Sequence, residues 1–260
     1  MTLFSRLLSR SSAAATANVP EGRRIYAIGD VHGCLGLLEG LLARIDEDDA
    51  QRGGPRGQMI FLGDVIDRGP ESAQVIDRLI ALREERPDTR FLLGNHEETF
   101  LMALEAGDRD VLRFFKRTGG IETMMSYGIS ARDADAVDLG QLAAMLWVSV
   151  PEAHQAFLKG FEHMIVEGDY VFVHAGVRPG VPLDAQRQSD LRWIREEFLR
   201  NRRRAPIPGK VIVHGHTIFE QVEERAGGIG IDTGAYHFGT LTAMGFEGDA
   251  RWVLQQHRPR

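Results

Sequence analysis

The sequence predicts an α/β fold carrying a helical insertion, and three observations support that expectation. In the N-terminal part, short apolar runs that end in Gly-Asp or Gly-Asn alternate with stretches of helical periodicity. The middle of the chain has helical patterning and no strand-like runs. Beyond it, apolar runs followed by histidine or aspartate return.

The folded part is expected to begin near Arg23. Ile25 to Ile28 reads as a buried strand running into Gly29-Asp30. Leu35, Leu38, Leu41, Leu42 and Ile45 recur at helical spacing, and a polar, glycine-rich turn is expected from Asp46 to Gly57. Met59 to Leu62 is a second strand ending in Gly-Asp. Val75, Ile76, Leu79 and Ile80 mark a second helix, which Pro87 terminates. Phe91 to Leu93 is a third strand, ending in Gly94-Asn95-His96. This β-α-β-α-β order is that of a largely parallel sheet. A helical insertion is expected at about residues 99–160, broken at Gly119-Gly120. Tyr170 to Val173, Lys210 to Val213 and Ile229 to Ile231 are further strands, leading to His174, His214 and Asp232. Thr240 to Phe246 and Arg251 to Gln255 form a closing hairpin around Glu247-Gly248-Asp249.

Composition narrows the function. The chain has 260 residues and suits one large domain. Its net charge of −6 gives no general reason to bind nucleic acid. Cys34 is the only cysteine, so no intrachain disulfide forms. No apolar run reaches membrane-spanning length, and a cytoplasmic enzyme with no membrane partner is expected. Residues 1–20, rich in Ser, Ala and Arg, are expected to be a disordered tail, followed by one domain over 21–260.

The polar residues fall in a telling place. At least five strands end in Asp, Asn or His, and in open α/β sheets ligands gather beyond the carboxyl ends of strands. Asp30 and His32, two apart on a glycine-flanked loop, can both reach one cation. In Gly63-Asp64-Val65-Ile66-Asp67-Arg68-Gly69, two carboxylates and an arginine follow a strand, and Asp64 can bridge two metals through its two oxygens. Asn95 offers a neutral oxygen, and His96 beside it can ligate or act as an acid. His174, His214 and His216 add imidazoles, donors that suit Mn²⁺, Fe or Zn²⁺.

Together these blocks resemble the calcineurin-like metallophosphoesterases, and within them the small bacterial and phage form of the phosphoprotein phosphatase branch. The family order Gly-Asp-x-His-Gly, Gly-Asp-x-x-Asp-Arg-Gly, Gly-Asn-His-Glu, His-Ala-Gly and Gly-His-Thr is complete from Arg23 onward. The resemblance implies a four-layer α/β/β/α metallophosphoesterase sandwich and two divalent metal ions, Mn²⁺ first and Fe or Zn²⁺ next. It implies that Asp30, His32, Asp64, Asn95, His174 and His216 bind the metals. His216 is preferred to His214, because Gly215-His216 matches the family's Gly-His. A metal-bridging hydroxide would attack phosphorus, His96 would be the general acid held charged by Asp67, and Arg68 and Arg195 would grip the phosphate. Ile218 stands where the broader superfamily often has another ligating histidine, which points away from nucleases and diesterases. The expected activity is hydrolysis of phosphoserine, phosphothreonine and small aryl phosphates. The alternative is a symmetrical bis(5'-nucleosyl)-tetraphosphatase, on which Asp67 and Glu97 bear, because the tetraphosphatases commonly differ there.

Overall fold

The computed structural model describes residues 17–105, 108–202 and 205–259. Its first sheet begins with β1 (Arg24–Ile28), β2 (Gln58–Phe61) and β3 (Arg90–Phe91), which pair in parallel. Between them run α1 (Leu35–Arg52) and α2 (Ser72–Glu85). Every residue of β1 is buried because both faces of the sheet are covered. Side chains alternate along the strand. Tyr26 and Ile28 pack against Leu38, Leu41 and Leu42 of α1, whereas Ile25 and Ala27 face a second sheet.

After β3 the chain is helical: α3 (Asn95–Glu105), α4 (Arg109–Phe115), α5 (Ile121–Ser126), α6 (Ala131–Ala136), α7 (Leu139–Ser149) and α8 (Glu152–Lys159). A π-helical turn at Lys116–Gly120 separates α4 from α5, at the Gly119-Gly120 break expected from the sequence.

The second sheet contains β4 (Ile165–Glu167), β5 (Tyr170–Phe172), β6 (Val211–His214), β7 (Glu223–Arg225) and β8 (Gly228–Gly230). Two short helices, α9 (Gln188–Trp193) and α10 (Glu196–Asn201), lie between β5 and β6 in the chain. Strands β9 (Thr240–Glu247) and β10 (Ala250–His257) form an antiparallel hairpin and return to the first sheet, with β9 against β1. The orders are β10-β9-β1-β2-β3 and β4-β5-β6-β8-β7. Ile25, Ala27, Ile60 and Leu62 meet Tyr170, Phe172, Val213 and Ile229 between the sheets. On the far face, Val171, Val173 and Ile212 pack against Leu191, Ile194 and Phe198. The layers are therefore α/β/β/α, as the resemblance implied.

Three expectations need correction. The turn placed at Asp46 to Gly57 is mostly helix, since α1 runs to Arg52. Polar residues there face outward, and Asp49 anchors the end by accepting from Arg24 Nη1 (2.8 Å) and from the Gly57 N–H (3.0 Å). The third strand is Arg90–Phe91, with Leu92 forming only an isolated bridge to Glu162. The tail expected over residues 1–20 lies largely outside the described residues, but its end belongs to the folded unit. Val19 is buried between the sheets, and its N–H donates to Gly248 O (3.1 Å). Among the described residues no helix is long and apolar enough to cross a membrane.

Candidate metal centre

The loops after β1, β2, β3, β5, β6 and β8 converge, and the backbone is strained where they do. Among the described residues, positive φ at non-glycine positions occurs at His32 (47°), Asp64 (48°), Asp67 (70°), Arg68 (67°) and His216 (62°), and otherwise only at Ala205. Such conformations persist where surrounding contacts over-determine them, and here they do. The N–H groups of Val31 and His32 both donate to Asp64 O, at 3.1 and 2.9 Å. The buried Glu97 carboxylate accepts from the N–H groups of Asp64 (2.9 Å), Val65 (2.8 Å) and Gly94 (3.0 Å). Gly94 is required by close approach, since a Cβ there would stand 2.1 Å from Asp64 Oδ1.

These loops bring the expected donors together. His174 Nε2 lies 3.0 Å from Asn95 Oδ1, 3.2 Å from His216 Nδ1 and 3.3 Å from Asp64 Oδ2. His216 Nδ1 lies 2.8 Å from Asn95 Oδ1. His32 Nε2 is 3.7 Å from the same Asp64 oxygen. Two groups thus share Asp64: His32, Asp64 and His96, and Asp64, His174 and His216, with ligating atoms in each within 4.8 Å of one another. The other nitrogens of two imidazoles face backbone carbonyls, His32 Nδ1 at 2.8 Å from Ile66 O and His174 Nδ1 at 2.9 Å from Leu62 O. A proton on each Nδ1 leaves the Nε2 lone pair aimed at the cluster, an arrangement typical of ligating histidines. Asp30 stands beside the groups and accepts the His216 N–H at 2.9 and 3.2 Å.

The electrostatics call for cations. Burial, then the charges of Asp232 and Asp64, push Asp30 well above the usual carboxylate range. Burial would raise Asp64 too, but His174 and His96 draw it well below that range. Burial, followed by the charge of His174, takes His216 down to about 2, and burial also lowers His32, so both rings are neutral donors. Asp232 is buried, and its Oδ2 has no hydrogen-bond partner. Buried carboxylates need compensating charge. Carboxylate, amide-oxygen and imidazole donors in this number fit divalent cations.

Beside the cluster, His96 Nδ1 lies 2.7 Å from Asp67 Oδ2, and Asp67 Oδ1 accepts from Thr123 Oγ1 at 2.6 Å. Burial would lower His96, but the Asp64 and Asp67 carboxylates outweigh it and raise the imidazole above its ordinary value. Arg68 Nη1 is 3.0 Å from His32 Nε2, and its guanidinium lies 4.8 Å from the Tyr236 ring centre. The exposed Arg195 reaches His216 Nε2 at 3.1 Å.

His214 stays outside the cluster. It is fully buried, stacks edge-on against Phe198, and burial takes it down to about 3. Cys34 is buried, with its thiol 3.4 Å from His32 O, consistent with packing. The run Arg202-Arg203-Arg204 reads from sequence as a solvated turn. That is wrong for Arg202, which is buried and pairs with Glu223; its neighbours lie outside the described residues. Sequence reasoning did not assign Thr123, Asp232 or Tyr236 to the site. Asp232 carried the same signal as the others, a carboxylate directly after a buried strand.

Comparison with known proteins places the chain in a family. The family model described as calcineurin-like phosphoesterase matches residues 23–254. A symmetrical bis(5'-nucleosyl)-tetraphosphatase of Delftia acidovorans is 32% identical over 156 residues, which cover 60% of this chain and 45% of the relative, less than half its length. An asymmetrical bis(5'-nucleosyl)-tetraphosphatase of Anoxybacillus flavithermus is 25% identical over 240 residues, covering 84% of this chain and 88% of the relative. The crystal structure of a putative diadenosine tetraphosphatase superposes with a TM-score of 0.62 at 21% identity, covering 94% of this chain and 100% of that one. Family members use a dinuclear divalent-metal site, for which candidate ligands are present here. By its family match over residues 23–254, this chain belongs to the calcineurin-like phosphoesterases.

Proposed function

We propose that the chain hydrolyses dinucleoside tetraphosphates, adding water across a phosphoanhydride bond. The observation that carries this reading is the name shared by the relatives, one of which aligns along most of its length. Asp30, His32, Asp64, Asn95, His174 and His216 would hold two divalent cations, Mn²⁺ first. When bound, such ions lower the pKa of a water and neutralise charge on phosphoryl oxygens. Arg68 and Arg195, at opposite imidazoles of the cluster, orient the phosphoryl group by bidentate hydrogen bonding. Water attacks phosphorus in line, the bond to the departing nucleotide oxygen breaks, His96 Nε2–H gives that oxygen its proton, and the proton lost by the water restores the imidazolium. Asp67 keeps His96 protonated and fixes its ring, and Thr123 in turn holds Asp67.

Hydrolysis of phosphoserine and phosphothreonine is the second reading. Asp67 and Glu97, which favour it at the level of sequence, are both fully buried. Glu97 binds backbone N–H groups and Asp67 binds His96, so neither meets the substrate's organic part. The specific observation in favour is the His96–Asp67 pair itself, because a general acid that stays protonated matters most for a poor alkoxide leaving group. The test is a side-by-side comparison of kcat/KM with Mn²⁺ on diadenosine tetraphosphate, a phosphothreonine peptide and p-nitrophenyl phosphate. The nucleotide reading expects the dinucleotide to exceed the peptide by orders of magnitude; the reverse order establishes the second reading.

A further inference from the structure

Next to the reacting centre lies a cleft of about 470 Å³ lined by Arg68, Arg117, Thr118, Gly119, Glu122 and Tyr236. Its inner wall is continuous with the metal centre, because Arg68 touches His32 and Tyr236 packs edge-on against the same ring, at 5.2 Å between centroids. Its outer wall is the π-helical turn between α4 and α5. That turn is fastened to the Arg68 loop. Gly119 O accepts the Arg68 N–H at 3.0 Å, and Gly119, at φ 109°, sits so close that a Cβ would stand 2.6 Å from Arg68 Cγ. Arg117, two residues earlier, is exposed and, like Glu122, makes no ion pair or hydrogen bond among the described residues. By contrast its neighbour Lys116 is engaged with Asp135 and Ala134 O.

Resting on the nucleotide reading, we propose that this cleft is a nucleoside-polyphosphate subsite, in which Arg117 takes the phosphate next along the chain from the one that reacts. Three features favour that ligand class. A phosphorylated serine or threonine has no second phosphate to offer Arg117. A free guanidinium held beside Arg68 by a fastened turn extends the anion-binding track by one group without adding mobility. Glu122 would repel phosphate but could accept hydrogen bonds from the hydroxyls of a ribose.

The test uses inhibition of p-nitrophenyl phosphate hydrolysis by the full chain with Mn²⁺, with inorganic phosphate and ADP as competing probes. Within each variant the ratio of the ADP to the phosphate inhibition constant is read, which cancels any change in the metal centre common to both. Arg117→Ala is expected to raise that ratio about tenfold, the effect of losing one charge-assisted hydrogen bond at an open site. Arg117→Lys should restore part of it. An unchanged ratio in Arg117→Ala overturns the subsite even if diadenosine tetraphosphate is a good substrate. A raised ratio in a protein that does not cleave that dinucleotide supports the subsite and removes the substrate reading, so the two failures are distinguishable.

Discussion

The site has two regions of different character, a floor and a rim. The floor consists of strand-end residues: Asp30, His32, Asp64, Asn95, His96 and His174 are buried and interlocked by backbone hydrogen bonds. The rim consists of Arg117, Glu122 and Tyr236, which are exposed or half-buried and borne by a loop and by the helical insertion. The floor holds the groups that can bind metal, which are indifferent to what the phosphate is attached to, and the group that can move a proton, which responds only to the basicity of the leaving oxygen. Only the rim reaches the rest of a substrate. Substitutions of the floor's metal-binding groups should therefore depress every substrate alike, substitutions of its proton donor should follow the basicity of the leaving oxygen, and substitutions in the rim should separate substrates by what the phosphate is attached to.

The largest effect is expected in the floor. Asp64→Asn removes the carboxylate shared by both donor groups, and kcat/KM should fall about a thousandfold or more on every substrate. A loss confined to one substrate would break the distinction between floor and rim. His96→Ala comes next. With a phosphothreonine peptide kcat should fall about 10²- to 10⁴-fold, and far less with p-nitrophenyl phosphate, whose phenolate departs without a proton. Equal losses on both would contradict the assignment of His96 as the acid. Arg195→Ala should raise KM about tenfold with a smaller change in kcat, measured by steady-state kinetics. The smallest effect is expected for Thr123→Val, which removes the hydroxyl that donates to Asp67 Oδ1 and accepts from its N–H. A loss of about fivefold in kcat, corresponding to about 1 kcal/mol, should appear with poor leaving groups and shrink with good ones.

The floor was far more legible in the sequence than the rim. Asp30, Asp64, Asn95 and His174 each follow a buried apolar run, and strand ends on one side of a sheet must meet, so their convergence follows from topology. His216 was separated from His214 by the family's Gly-His motif, which Gly215-His216 matches, and the structure shows the physical basis: His214 closes a buried strand and packs against Phe198, while His216 sits at positive φ and turns toward Asn95. Thr123 and Arg117 were not legible because the insertion's contact with the Arg68 loop is tertiary, made by a π turn that no local pattern announces. Glu97 was legible as part of the motif but misleading for substrate. Its carboxylate organises the Asp64 loop from beneath, so a change between Glu and Asp there reports on loop support and not on ligand contact.

His96 is the residue on which floor chemistry turns, because its Nε2 is 3.9 Å from Asp64 Oδ2 and it groups with His32 and Asp64 as readily as a ligand would. Titration of metal-stripped protein with Mn²⁺ by calorimetry decides its role and the dinuclear claim together. The account predicts two ions per chain in the wild type and two in His96→Ala, with Asp64→Asn losing at least one. A single ion in the wild type, or loss of an ion in His96→Ala, would contradict it.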